Sequence, residues 1–477
     1  MFFLIGMFNG KEPKMRTLRQ ETGRRAGWIG MAAMLALLVA VPAHAQDNAA
    51  SDSTMVTENP SAPHATARAI PQPIVLGHFR PHDARGLNVF EAPKAEGVPY
   101  TGFQLEWGAA FTQQFQGLRH ENTAAPNIVA GVNQNQLITI GSGFNNADAN
   151  LYMDAQVARG IRVALTSYLS SRHHSETWVK DGYLLIDGSP WENATLDQIM
   201  KVLSLRLGHF EINYGDMHFR RTDNGNALFN PLVGNLIMDA FTTEIGGEVY
   251  ARGNNLLGMV AVTGGEVRGQ VLKPEQRSPS VMGKLGFDRQ FNPSTRVRLT
   301  GSLYTTSKSA SNTLYSGSRA GSRYYYALEN VLATESAQAW SGDLQPGFNR
   351  KVTAWVVNPF IKYQGLELFG NIEQAKGRKV TETSDRTWSQ YAGEAVYRLC
   401  SNQLYLAGRY NVAKGTLVGM TSDVTIDRVQ AGGGWFISPN LEAKAEYVKQ
   451  TYKDYPVTDI HNGGKFHGVM IEAVVSF

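Results

Sequence analysis

The chain has 477 residues and a mean hydropathy of −0.26, which suits one large barrel or two or three soluble domains. Its net charge of +4 becomes zero without residues 1–45, which carry six basic and two acidic residues, so the basic pI is no argument for a nucleic-acid partner. The single cysteine, Cys400, excludes an internal disulfide bond and a cysteine metal cluster.

The N-terminal segment has the composition of an export signal. An apolar stretch over residues 27–41 follows four arginines between positions 16 and 25, and Ala43-His44-Ala45 provides a cleavage site of small residues. The stretch is shorter than the roughly 20 residues that span a membrane, although an N-terminal anchor remains the alternative. We expect a signal peptide over residues 1–45, with Met15 as a candidate start, and export by the general secretory route.

Residues 46–100 are rich in alanine, serine, proline and polar residues and show no sustained periodicity. Such a composition indicates a linker or tail. Two apolar patches, 74–76 and 87–90, would dock on the rest of the chain or on a partner, with simple disorder as the alternative.

From residue 101 to residue 477 the chain alternates apolar and polar residues between turn signals, which predicts an all-β structure. In residues 440–450 the alternation places Glu442, Lys444 and Glu446 together on one face. Three glycines, 432–434, lie within one of these runs and predict a bend or close packing. The runs predict sixteen strands: 101–116, 149–159, 160–171, 176–187, 201–212, 241–252, 255–264, 280–290, 295–306, 352–363, 366–376, 389–399, 403–413, 424–436, 440–450 and 466–477.

The connections between these strands alternate in length. Long ones near 117–148, 213–240, 265–279 and 307–351 interleave with tight turns such as Arg159-Gly160, although the connection 188–200 is a longer turn. An even-stranded transmembrane antiparallel barrel with short periplasmic turns and long outer loops explains this alternation, and it places both termini in the periplasm. A soluble sandwich does not explain it.

The last strand ends the chain on Phe477, and its alternation places Glu472 on the polar face. A terminal strand with this ending resembles the closing strand of bacterial outer-membrane barrels. With sixteen strands, the chain resembles the porins of Gram-negative outer membranes, and the segment 205–215 is similar to a strand-and-loop entry in the phosphate-selective porin group. The resemblance implies insertion by the outer-membrane assembly machinery, passive diffusion of small hydrophilic solutes or ions through a water-filled lumen, and homotrimers.

In porins the third outer loop folds into the lumen, and here that loop is 213–240. Its apolar residues Leu228, Phe229, Leu232, Val233, Leu236 and Ile237 would let it pack against the inner wall. The alternative is a surface loop that packs on itself or on a neighbouring subunit. The candidate constriction residues are Asp216, His218, Arg220, Arg221 and Asp223.

The phases of the strands also predict which charged residues face the lumen. Charged residues near a narrow pore discriminate between ions of opposite sign. Three arginines, Arg398, Arg409 and Arg428, lie on successive strands as a candidate basic strip, but a mutually neutralising ladder is the alternative, so the preferred ion sign stays open. The candidate wall residues are Arg162, Arg206, Arg296, Arg298, Arg398, Arg409, Arg428, Glu244, Glu248, Glu394, Glu442 and Glu472.

The sequence contains no His-Glu-x-x-His or G-x-S-x-G motif and no phosphate-binding loop. The adjacent His173 and His174 lack a third metal ligand. We therefore expect no catalytic residue, metal or cofactor. Two alternatives remain open: a barrel enzyme with a nucleophile near a histidine at the outer rim, and a surface adhesin or structural partner that uses the 307–351 loop, with its Arg323-Tyr-Tyr-Tyr326 run.

Overall fold

The computed structural model describes residues 79–91, 100–145, 147–170, 177–265, 271–316, 324–335 and 341–477. All of them belong to the unit that spans residues 65–477. The expected signal peptide, the apolar patch 74–76 and the pair His173-His174 lie outside the described residues.

Sixteen strands form one antiparallel sheet. We label them β1 to β16 in chain order: Gln104–Glu121, Asp148–Ala158, Ile161–Ser170, Thr177–Ile186, Leu203–Glu211, Thr243–Gly253, Leu256–Thr263, Ser280–Asn292, Thr295–Thr306, Lys351–Tyr363, Leu366–Arg378, Arg386–Leu399, Leu404–Thr416, Asp423–Ser438, Leu441–Lys453 and Lys465–Ser476. The prediction of sixteen strands is confirmed. The largest boundary error is at the end of β1, which continues to Glu121 because its last residues pair with β16, opposite Lys465.

The sheet closes on itself through β1. Ala110 is paired with Asn150 of β2 on one side and with Ser476 of β16 on the other. The predicted neighbours of the last strand are therefore confirmed, because β16 pairs with both β1 and β15. Closure leaves no unpaired sheet edge, which is the condition for a sheet to lie in a bilayer.

The two faces of the wall differ in the way that a bilayer requires. In β13, Leu406 is 63% exposed and Tyr410 is 53% exposed, whereas the intervening Arg409 is buried. An exposed apolar face with a buried charged face is the inverse of a water-soluble barrel and is typical of transmembrane barrels.

Of the aromatic residues near the strand ends, Trp107 and Tyr363 lie on the exposed face. Tyr250 is instead buried, and its hydroxyl donates to Glu248 Oε2 at 2.6 Å. This tyrosine belongs to the inner face because it lies two residues after the buried Glu248 on β6, and residues two apart on a strand share a face.

One rim of the barrel carries the tight turns, including 253–256, 363–366 and 438–441; we call it the short-turn rim and the opposite one the long-loop rim. The exceptional connection after β4 contains the helix α1, Ala194–Met200, whose Asn193 cap accepts from Leu196 N at 3.0 Å. The other short elements are the 3-10 turns Ala84–Gly86, Met217–Phe219, Pro274–Gln276 and Cys400–Asn402 and the short strands Ile128–Val129, Val132–Asn133 and Gly143–Phe144. Within the described residues, no α-helix has the length and apolarity to cross a membrane.

The glycine run of β14 allows its neighbours to approach closely. A Cβ on Gly434 would lie 2.5 Å from the ring of Tyr405, and one on Gly432 would lie 2.3 Å from the carbonyl oxygen of Ala445. Tyr405 can therefore lie flat across the strand and donate to Glu442 Oε1 at 2.5 Å. The prediction of close packing at these glycines is confirmed.

Candidate functional site

The inner face of the wall is charged, and its charges are paired. Arg409 Nε donates to Glu394 Oε2 at 2.9 Å, and Arg398 Nε donates to Glu367 Oε1 at 2.8 Å. Arg428, the third arginine of the candidate basic strip, instead donates to Gln450 and to two backbone carbonyls. Carboxylates pair with Arg398 and Arg409, as in the mutually neutralising ladder, whereas the acceptors around Arg428 are neutral groups.

The remaining candidate wall residues are also buried or half-buried and have partners. Their ion pairs and hydrogen bonds are Arg162 with Asp187, Arg206 with Glu248, Arg296 and Arg298 with Asp288, Glu244 with Tyr304, Glu442 with Tyr405, and Glu472 with Lys444. The ion pairs among these contacts leave little net charge facing the interior, whereas Tyr304 and Tyr405 are neutral donors to Glu244 and Glu442.

The connection between β5 and β6, residues 212–242, is buried along almost its whole length. Its backbone is held by side chains of the inner face on strands from different parts of the ring. The contacts are Gly225 O with Thr112 of β1 at 2.6 Å, Asp216 N with Asn358 of β10 at 2.8 Å, Ile237 N with Asn411 of β13 at 2.6 Å, and Val233 N with Glu446 of β15 at 2.7 Å. Because buried backbone groups need partners, these polar wall residues hold the connection in place.

Asp216 forms the most heavily paired group of this connection. Arg298 binds both of its carboxylate oxygens at 2.8 Å, and Lys284 Nζ lies 2.8 Å from Oδ1. Burial opposes ionisation of Asp216, but Arg298 and Lys284 outweigh it and hold its pKa at about 2. Asp216 is therefore a carboxylate at neutral pH.

The other four candidate constriction residues do not form one ring with Asp216, but two of them contact each other. Arg221 pairs with Asp239 and, at 3.3 Å, with Asp223, whereas Arg220 pairs with Glu394. Asp223 accepts from Lys180 and Tyr168. His218 Nε2 lies 2.9 Å from Asn213 Oδ1, and burial lowers its pKa, although Glu211 opposes that shift. These contacts show how the five residues are held. Their role in permeation stays a prediction.

A second buried segment comes from the N-terminal side of the barrel, residues 79–91. Val89 and Phe90 are buried, and Asn88 Nδ2 donates to Glu367 Oε1 at 2.6 Å. Glu91 lies 2.9 Å from Lys284 Nζ and 2.8 Å from Arg298 Nη2, so it shares both cations with Asp216. Of the alternatives that the sequence left open for the patch 87–90, docking on the barrel is the observed one. The charged partners of this segment were not predicted.

Part of the connection after β9 is buried as well. Tyr324 is fully buried, and its hydroxyl donates to Glu446 Oε1 at 2.6 Å. A Cβ on Gly234 would lie 2.1 Å from that hydroxyl oxygen, so the two connections are in direct contact. Tyr325 is also buried, whereas Arg323 lies outside the described residues. The tyrosine run therefore does not present a free aromatic surface, which was the feature that suggested an adhesin.

The space left between these segments includes a cavity of about 260 Å³ bounded by residues 79–91, by the 212–242 connection and by β2 to β6. Its charged lining comprises Arg80, Arg162, Lys180, Arg206, Arg221 and Arg252 together with Glu91, Asp154, Asp181, Asp187, Glu211 and Asp223. Cations and carboxylates are equal in number, so the lining is close to neutral. In the part of the chain that the structure describes, no cluster of His, Cys, Asp or Glu is arranged to hold a metal ion.

A closed, sixteen-stranded antiparallel barrel with an apolar outer face and a charged inner face is the architecture of an outer-membrane β-barrel protein. The resemblance to porins holds at the level of this fold.

No family model matches the chain, and no curated protein sequence matches it. Among solved structures, an anion-selective porin from Comamonas acidovorans is 10% identical, with a TM-score of 0.49 over 79% of this chain and 100% of that chain. OmpT of Vibrio cholerae is 9% identical, with a TM-score of 0.46 over 80% and 100%. OprB of Pseudomonas putida is 10% identical, with a TM-score of 0.47 over 78% and 94%. The fold assignment rests on the strand pairing of the chain itself.

Proposed function

We propose that this protein is an outer-membrane porin through which small hydrophilic solutes or ions diffuse passively. The observation that carries the proposal is a closed barrel with a lipid-compatible exterior and a charged interior that still contains a cavity of about 260 Å³. A barrel of this strand number is wide enough to hold an aqueous channel.

We propose that the connection 212–242 narrows this channel. Its hydrogen bonds to β1, β10, β13 and β15 support this role, because a segment tied to strands from different parts of a closed ring crosses the space between them. The segment 79–91 narrows the channel further. A slow flux of small solutes follows, with a small unitary conductance for a barrel of sixteen strands.

Planar-bilayer recording of the purified protein tests the proposal. We expect stepwise conductance, and a larger step when residues 218–232 are replaced by a short glycine linker. Deletion of residues 418–421, whose first two residues and last residue are exposed in a different connection, is the matched control and should leave the step unchanged. Absence of stepwise conductance in every form would refute the porin, and an unchanged step in the 218–232 variant would refute the constriction.

The proposed orientation places the short-turn rim and both ends of the barrel in the periplasm, after export by the secretory route and insertion by the assembly machinery. β1 begins and β16 ends at that rim, where Ala109 N donates to Phe477 O at 2.9 Å. Homotrimers are proposed only from the resemblance to sixteen-stranded porins. Light scattering of the detergent-solubilised protein would measure the assembly state.

A further inference from the structure

A second cavity, of about 450 Å³, lies at the short-turn rim. It is enclosed by residues 83–88 and by the turns at 401–403 and 438–440. Part of its lining is apolar, formed by Ala84, Leu87, Phe436 and Pro439. Its volume falls within the roughly 300 to 1,000 Å³ that is usual for small-molecule sites.

Three cations and two carboxylates line this cavity. Arg85 pairs with Asp83 at 2.7 Å, and the other charged residues are Lys362, Arg398 and Glu367. Arg398 donates two hydrogen bonds to the carboxylate of Glu367, of 2.8 and 3.3 Å. Asn88 donates to the same carboxylate at 2.6 Å. Glu367 is thus already engaged by partners other than Lys362.

Lys362 is left without a close acceptor. It is only 6% exposed, and its Nζ lies 3.8 Å from the nearest oxygen of Glu367, beyond hydrogen-bond length. No other described residue accepts from it. A buried ammonium group without hydrogen bonds is costly, and the cost falls when an anion supplies them.

Like Lys362, Arg398 has a nitrogen atom without a close acceptor among the described residues. The side chain is 4% exposed, and among the described residues Nη1 has no hydrogen-bond partner. The local charge is therefore positive, since two cations share a carboxylate. The polar turn residues Ser401, Asn402 and Gln403 add further hydrogen-bonding groups at the mouth.

We propose that this cavity is a binding site for a small organic anion, with a carboxylate seated against Lys362 and Arg398 and an apolar body between Leu87 and Phe436. The apolar walls favour such a molecule over a free inorganic anion, because the hydrocarbon body gains from leaving water. The site is separate from the 260 Å³ cavity, and its occupation does not depend on conduction.

Isothermal titration of the detergent-solubilised full-length protein with cyclohexanecarboxylate tests this proposal. We expect saturable binding that is at least tenfold weaker for Lys362→Met and several-fold weaker for Leu87→Ala. Lys362→Arg should bind like the wild type, because it keeps the charge at the same place. Lys201→Met removes an exposed lysine elsewhere and should change nothing.

Further probe molecules separate the contribution of the carboxylate to binding from that of the apolar body. Cyclohexylmethanol and cyclohexylamine share the apolar body and should not bind, whereas inorganic phosphate should bind more weakly than cyclohexanecarboxylate. Heat-modifiable electrophoresis establishes that each variant is folded. Absence of binding to the wild type, equal binding to folded Lys362→Met, or phosphate binding as tight as that of cyclohexanecarboxylate would each overturn the proposal.

Discussion

At the residue scale, the group of Asp216, Glu91, Lys284 and Arg298 joins three parts of the chain that are far apart in sequence. Each of the two cations lies within 2.9 Å of an oxygen of each carboxylate. Burying a charge is favourable only when its partners are present. The four charged groups therefore stabilise one another and hold these three parts of the chain together.

Substitution Asp216→Asn should destabilise the protein by about 3 to 5 kcal/mol, because Lys284 and Arg298 would lose a buried partner. The free energy of unfolding in urea, measured in lipid vesicles, checks this value. Glu275→Gln removes an exposed carboxylate and is the control, with an expected change near zero. A stability of Asp216→Asn equal to that of the wild type would contradict the pairing.

The same group predicts a dependence of stability on pH. Arg298 and Lys284 outweigh the effect of burial and hold the pKa of Asp216 at about 2, and they also hold the pKa of Glu91 well below its ordinary value. A lowered pKa stabilises the fold above the unfolded-state pKa of about 4, and this contribution is lost as the pH falls toward 2. The free energy of unfolding should fall between pH 5 and pH 2, and it should fall less in Asp216→Asn than in the wild type. Parallel curves for the two proteins would contradict this prediction.

At the element scale, the segment 79–91 behaves as part of the barrel interior. Its Arg80 guanidinium donates to the carbonyls of Gly86 and Phe219, and lies 3.7 Å from the ring centroid of Phe229. Burial lowers the pKa of Arg80 to about 9, and the nearby Arg220 adds to the effect. The hydrogen bonds of Arg80 and the ion pairs of Glu91 therefore hold the segment in place near both of its ends.

Removal of residues 79–91 should increase unitary conductance, since the wall strands pair without this segment and the space it occupies becomes free. Planar-bilayer recording of the deleted and full-length proteins measures the change. Scrambling residues 52–58, which lie outside the described part of the chain, is a control for changes upstream of the barrel. Equal conductance in the deleted and full-length proteins would show that the segment does not obstruct flow.

At the scale of the whole molecule, a barrel encloses charges whose sum decides the sign of the permeating ion. Six cations and six carboxylates line the 260 Å³ cavity, so the field along it is close to balanced. The sequence left the ion sign open for the same reason, since acidic and basic residues alternate inward in similar numbers.

We expect a reversal potential near zero under a potassium chloride gradient. Asp154→Asn should shift it toward anion selectivity, because it removes a lining carboxylate that lies 3.5 Å from His82 and is not paired with a lysine or arginine of the described residues. Asp423→Asn, at an exposed carboxylate outside the cavity, is the control. Strong cation or anion selectivity in the wild type would contradict the balanced lining.

The sequence by itself determined the number of strands, their order and the face on which each residue lies. A strand between lipid and a polar interior must alternate with period two, so the pattern is visible in one dimension. The sequence also located the connection 213–240 and the patch 87–90 as apolar segments that needed a surface. Only the tertiary structure decided which charges meet. Asn88 and Glu367 are 279 positions apart, and they meet because the segment 79–91 packs against the inner face of the closed barrel.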